Sequence, residues 1–159
     1  MDLIPTFESN LRVMTHSDLI SIAEQAEGPV YVYDTAKIQS QFQRLVNAFS
    51  GVEKLKINYA CKALSNVSVL KLMQNMGSGL DTVSIQEVLL GLRAGFKPAD
   101  IIFTPNGVSL EEIETVAEMG VQINIDNLSI LEQFGTKHPN VPVCIRINPH
   151  VMAGGNSNI

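Results

Sequence analysis

The 159-residue sequence predicts an α/β fold: an incomplete (β/α)8 barrel of the TIM type, with about five of its eight βα units. Three observations carry this expectation. Strand-like runs and helical stripes alternate from residue 54 onward, with strand starts about 20 to 24 residues apart, a rhythm that means parallel strands joined by right-handed crossovers. No G-x-G-x-x-G follows a strand and no Walker A sequence occurs, so the signatures of the doubly wound sheet, the other architecture with this rhythm, are missing. Three further units would take roughly 60 to 90 residues, and the sequence closes on a loop-like run at 153–159. The barrel is therefore expected to be cut short.

Composition narrows the classes. The chain is 45% hydrophobic and 17% charged, enough apolar material for a sizeable core. A net charge of −5 and a pI near 5.1, with no basic run, argue against nucleic acid as a partner. No apolar stretch approaches the length of a membrane span, and the start lacks a basic region followed by an apolar one. A cytoplasmic protein with no membrane partner is expected. Cys61 and Cys144 both sit in apolar strand-like runs and read as reduced core cysteines; their spacing fits no metal site.

In chain order, residues 1–14 are irregular. Residues 15–27 are expected to be helical, with Leu19, Ile22, Ala23 and Ala26 at helical spacing and Thr15 or Ser17 as cap. Residues 30–33 read as a short strand, and Asp34-Thr35 turns into a helix striped by Ile38, Phe42, Leu45, Val46 and Phe49. Strand cores follow near 56–61, 80–83, 100–103, 122–125 and 141–147. Between them lie helical stripes that end at Gly77, Gly95, Gly120 and Gly135, glycine being the usual left-handed stop. Ser84 with Glu87, and Ser109 with Glu112, spell capping boxes. Residues 1–27 are taken as a lead segment and 28–159 as the partial barrel.

Barrel sites lie at the C-terminal ends of the strands. This chain puts Lys62 there after the first strand, and Asp81, Ser84 and Glu87 after the second. The third and fourth contribute Thr104, Asn106, Asn124, Asp126 and Asn127, and the fifth Arg146, Asn148 and His150. Lysine, aspartate and arginine on separate strands suit an amine nucleophile, a carboxylate partner and an anion clamp. Each also has a plain structural explanation. Lys62 can be a strand-end lysine whose head reaches water, and Asp81 can start a turn. Ser84 and Glu87 are accounted for by capping, and Asp126-Asn127 can cap the fourth helix. Arg146 either points inward to a partner or snorkels outward. His150 can be structural, and His16 and His138 are surface candidates.

Four ordered motifs favour the chemical alternative. P-V-Y-V-Y-D at 29–34, Y-A-C-K-A at 59–63, G-S-G-L-D-T-V-S-I-Q-E at 77–87 and R-I-N-P at 146–149 resemble the pyridoxal-phosphate barrel of the fold-type III decarboxylases, an alanine-racemase-like barrel. This group includes ornithine, arginine, carboxynorspermidine and diaminopimelate decarboxylases, and the diaminopimelate pattern is the nearest. The resemblance implies pyridoxal 5'-phosphate as cofactor, in a Schiff base on Lys62. It implies Asp81 and Arg146 as cofactor-binding residues, with Ser84 and His150 beside them. It further implies decarboxylation of meso-2,6-diaminopimelate to L-lysine, hence lysine biosynthesis, by a homodimer; a related decarboxylase of another basic amino acid or of carboxynorspermidine, a non-catalytic pyridoxal-phosphate carrier, or an inactive fragment are the alternatives. Leu64, Ile85-Gln86, the T-P-N-G-V-S loop at 104–109 and His150 depart from the family pattern. The ring-stacking histidine, the phosphate cradle, the glutamate for the pyridine nitrogen and a C-terminal β-domain fall outside these residues. The 159-residue chain alone is accordingly expected to be inactive.

Overall fold

A computed structural model describes residues 13–149. The described residues divide into two compact units, 13–57 with 75–77, and 58–74 with 78–149. The first unit holds helices α1 (His16–Gln25) and α2 (Thr35–Ala48). Thr15 caps α1 with a reciprocal box: its Oγ1 accepts from the Asp18 N–H, and its own N–H donates to Asp18 Oδ2 at 2.8 Å. Asp34 caps α2 by accepting from the Lys37 N–H at 2.9 Å. The expected strand at 30–33 does not form. β-branched and aromatic residues only favour a strand where a ladder is available, and no described strand pairs with this segment; Tyr31 is 91% exposed.

The second unit is a five-stranded parallel sheet in the order β1-β2-β3-β4-β5. Its elements are β1 (Asn58–Ala60), α3 (Val67–Asn75), β2 (Gly79–Thr82), α4 (Ile85–Ala94), β3 (Ile101–Phe103), α5 (Leu110–Glu118), β4 (Gln122–Ile125), α6 (Leu128–Lys137) and β5 (Val143–Ile145). Each strand pairs with the next in sequence, and the order never reverses. That is barrel winding, since a doubly wound sheet changes direction at a switch point.

Alternation along the strands sorts the side chains. Leu80, Thr82, Ile101, Phe103, Ile123 and Ile125 are buried together with Leu70, Val88, Ile113, Val116 and Phe134 of the helices, so one face is the core. The residues between them, Asp81, Ile102 and Asn124, stay half-buried on the other face. Phe103, Phe134, Leu70 and Leu80 are the largest fully buried side chains.

The strands are shorter than the apolar runs that announce them, and two cysteines expected in the core part company. Cys61 is buried, but Cys144 is exposed, as is its neighbour Ile145, because β5 is an edge strand of the described sheet. Gly135 does not end α6, which continues to Lys137; an interior glycine costs a helix only about 1 kcal/mol, less than the anchoring given by buried Phe134. Gly95, with φ +104, does stop α4 in the left-handed region.

His138 is not a plain surface residue either. Its ring lies 4.8 Å from that of Phe134, and its Nε2 meets Glu114 Oε1 at 2.9 Å, where Lys137 Nζ also arrives at 3.1 Å. Hydrogen bonds from His138 and then Lys137 hold the Glu114 carboxyl below its ordinary value of 4.5. A carboxylate with a lowered folded-state pKa stabilises above the unfolded value and loses that contribution as the proton binds. Stability therefore falls as pH drops below about 4.5, and Glu114→Gln flattens that acid limb in urea titrations taken at several pH values.

The two interior glycines separate by sign. A Cβ on Gly91 would stand 2.4 Å from Leu80 Cδ2 and 3.3 Å from Ile101 Cδ1, both fully buried. Gly135 has nothing within 4 Å of a Cβ. Gly91→Ala is expected to destabilise by about 1–3 kcal/mol through overpacking. Gly135→Ala is expected to stabilise by about 0.5–1 kcal/mol through helix propensity. Urea midpoints measure both.

Candidate active site

The C-terminal ends of the strands carry the groups with chemistry. β1 runs directly into a 3-10 turn, Cys61–Ala63. Buried Cys61 anchors that turn, the Leu64 N–H closes it onto the Cys61 carbonyl at 3.1 Å, and the Tyr59 hydroxyl donates to the Leu64 carbonyl at 3.1 Å. Lys62, between an anchored residue and the turn exit, is exposed. It makes no ion pair with a described residue. The Cys61 thiol itself is pushed up to about 11, first by burial and then by the Glu87 carboxylate. It is thus a packing group with no thiolate to offer at neutral pH.

Asp81 sits in the middle of the sheet, in register with Ala60 of β1 and Ile102 of β3. Its Oδ1 accepts from Thr104 Oγ1 at 2.8 Å, and Thr104 Oγ1 accepts from Asn124 Nδ2 at 2.9 Å. Gln122 Nε2 lies 3.5 Å from Asn124 Oδ1. One polar row thus crosses β2, β3 and β4 on the face away from the helices. The Thr104 N–H donates to the Thr82 carbonyl at 2.8 Å, which carries the β2–β3 ladder one residue further and fixes where Thr104 stands. Asn58, on the same face of β1, has a buried Oδ1 with no hydrogen-bond partner among the described residues.

The remaining predicted residues are more scattered. Arg146 follows β5, tied to β4 by its N–H on the Ile125 carbonyl at 2.9 Å; it is exposed, and its guanidinium pairs with no described residue. Ser84 works as the cap of α4, its Oγ accepting from the Glu87 N–H at 3.3 Å. Glu87 departs from the expected reciprocal box, since its Oε2 accepts from the Val83 N–H at 2.7 Å. Ser109 and Glu112 do form their box, and Asn127 caps α6. His150 lies outside the described residues. Asn124 also lines a cleft of about 250 Å³ at the ends of β3 and β4, with Asn106, Asp126 and Asn127 at its polar side. No group of three metal-ligating side chains occurs among the described residues, and no helix among them is long and apolar enough to cross a membrane.

Thr104 and Asn124 appear in the sequence only as strand-end polar residues. The signal that joins them to Asp81 is parity: each lies an even step from a position facing away from the helices, on three successive parallel strands.

Comparison with known proteins bears on the fold and the family. The pyridoxal binding domain of the pyridoxal-dependent decarboxylases matches residues 35–159. The chain is 36% identical over 140 residues to the diaminopimelate decarboxylase of Methanothermobacter thermautotrophicus, covering 87% of this chain and 33% of the relative. It is 38% identical over 138 residues to the probable chloroplastic diaminopimelate decarboxylase of Oryza sativa subsp. japonica, covering 84% and 28%. The crystal structure of diaminopimelate decarboxylase from Helicobacter pylori complexed with L-lysine superposes with a TM-score of 0.74 at 35% identity, over 84% of this chain and 35% of that one. The chain thus spans about a third of the length of the relatives it matches. It belongs to the pyridoxal-dependent decarboxylase family, through that family's pyridoxal binding domain.

Proposed function

We propose that the chain supplies the lysine-bearing part of the cofactor site in a decarboxylase that converts meso-2,6-diaminopimelate to L-lysine. The observation that carries the reading is Lys62: an exposed amine, unpaired among the described residues, on an anchored turn at the end of β1, whose last strand residue is registered on Asp81. The donor set fits pyridoxal phosphate. An amine can hold the cofactor aldehyde covalently, a carboxylate and a guanidinium complement its cationic and anionic groups, and nothing in the row competes as a metal ligand cluster. When bound, pyridoxal phosphate supplies the sink for the electron pair left behind by carbon dioxide.

The chain's own residues then have distinct tasks. Lys62 would hold the cofactor through its exposed side-chain amine. Asp81, on the face away from the helices, would orient the cofactor, and Arg146 would offer its guanidinium to an anionic group. Cys61 and Tyr59 keep the lysine-bearing turn closed. Ser84 contributes through the cap of α4. The substrate assignment draws its support from the relatives named diaminopimelate decarboxylase and from the L-lysine held by the Helicobacter pylori enzyme. A cytoplasmic homodimer acting in lysine biosynthesis is the corresponding setting.

Incubating the chain with pyridoxal phosphate, reducing with borohydride and mapping the peptides by mass tests the assignment. The expected result is one adduct, on Lys62, lost in Lys62→Ala. An adduct shared among Lys56, Lys71 and other surface lysines, or unchanged in Lys62→Ala, would overturn it.

A further inference from the structure

We infer that Thr104 and Asn124 are positioning residues that fix the carboxylate of Asp81; the inference rests on the reading that Asp81 faces the cofactor. The three side chains come from β2, the end of β3 and β4, and their contacts of 2.8 and 2.9 Å close over sequence separations of 23 and 20 residues. The row has one internally consistent polarity. A carboxylate can only accept, so the single hydroxyl proton of Thr104 is committed to Asp81. The hydroxyl oxygen must then accept from its other neighbour, and an amide can donate only through nitrogen. Gln122 Nε2, at 3.5 Å from Asn124 Oδ1, favours that same orientation of the amide.

The result is a directed chain, Asn124 to Thr104 to Asp81, that holds the carboxylate through one oxygen. Asp81 Oδ2 takes no hydrogen bond from a described residue, so the row holds one oxygen and frees the other. Threonine suits the bridge for a second reason: its β-branch restricts χ1, so the hydroxyl is held in place before any ligand arrives. Fixing a charged group in advance removes an ordering cost from binding.

A double-mutant cycle on pyridoxal phosphate affinity tests this, with circular dichroism to verify folding. Thr104→Val keeps the shape and removes the hydroxyl; it is expected to weaken binding about tenfold, the size of a hydrogen bond to a charged group. Thr104→Ser restores most of the loss. In an Asp81→Ala background Thr104→Val adds less than about twofold, since the partner is gone. An equal loss in both backgrounds, or no rescue by serine, overturns the inference while leaving Lys62 as the attachment point. A cofactor-free readout runs beside it: Asp81→Ala shifts the Asn124 side-chain amide resonances in the unaltered chain but not in Thr104→Val. If Lys62 takes up no pyridoxal phosphate, the cofactor reading falls, and this NMR comparison decides the positioning alone. Asn124 resonances indifferent to Asp81 would then overturn it.

Discussion

Successive side chains of a strand leave on opposite faces, and in β2, β3 and β4 that alternation divides the molecule's labour. Leu80, Ile101, Phe103, Ile123 and Ile125 go under the helices and are almost wholly excluded from water. Asp81, Thr104 and Asn124 take the opposite face and bond to one another. A slip of one residue in any register would exchange the two sets, burying a carboxylate among leucine and isoleucine. The close seat of Gly91 over Leu80 and Ile101 belongs to the same constraint, because it lets α4 press the apolar face without displacing the strands.

The turn after β1 solves a different problem. An amine that is to react must be exposed, yet its backbone must not wander. Here the residue before Lys62 is fully buried, and the exit from the turn is tied back to Tyr59. Burial also keeps the Cys61 thiol protonated, with a pKa of about 11, so the only nucleophile that the turn presents is the lysine. Rigidity in the turn and in the polar row comes from unlike sources, apolar burial in one and hydrogen bonding in the other.

Much of this is legible in the sequence. The five strands and the four helices between them follow from periodicity, with Gly95 and the Ser109–Glu112 box marking ends that the structure keeps. Lys62 and Asp81 enter as candidates from their positions at strand ends and from the family motifs around them. What the sequence leaves hidden depends on tertiary company. Residues 30–33 have a strand's composition but no ladder among the described residues. Cys144 has a core residue's surroundings but stands on β5, an edge strand of the described sheet. Thr104 and Asn124 acquire meaning only when register brings them beside Asp81, and His138 only when α6 carries it to Glu114 and Phe134.

The central claim is that one face of the sheet, with Lys62 at its rim and Asp81 fixed by Thr104, forms the cofactor's seat. A crystal structure of the chain grown with pyridoxal phosphate tests it most directly. The account predicts continuous density from Lys62 Nζ to the cofactor, over the face that bears Asp81, with the Thr104–Asp81 hydrogen bond kept near 2.8 Å. Cofactor density on another lysine, or on the helix-covered face with the polar row rearranged, would contradict it.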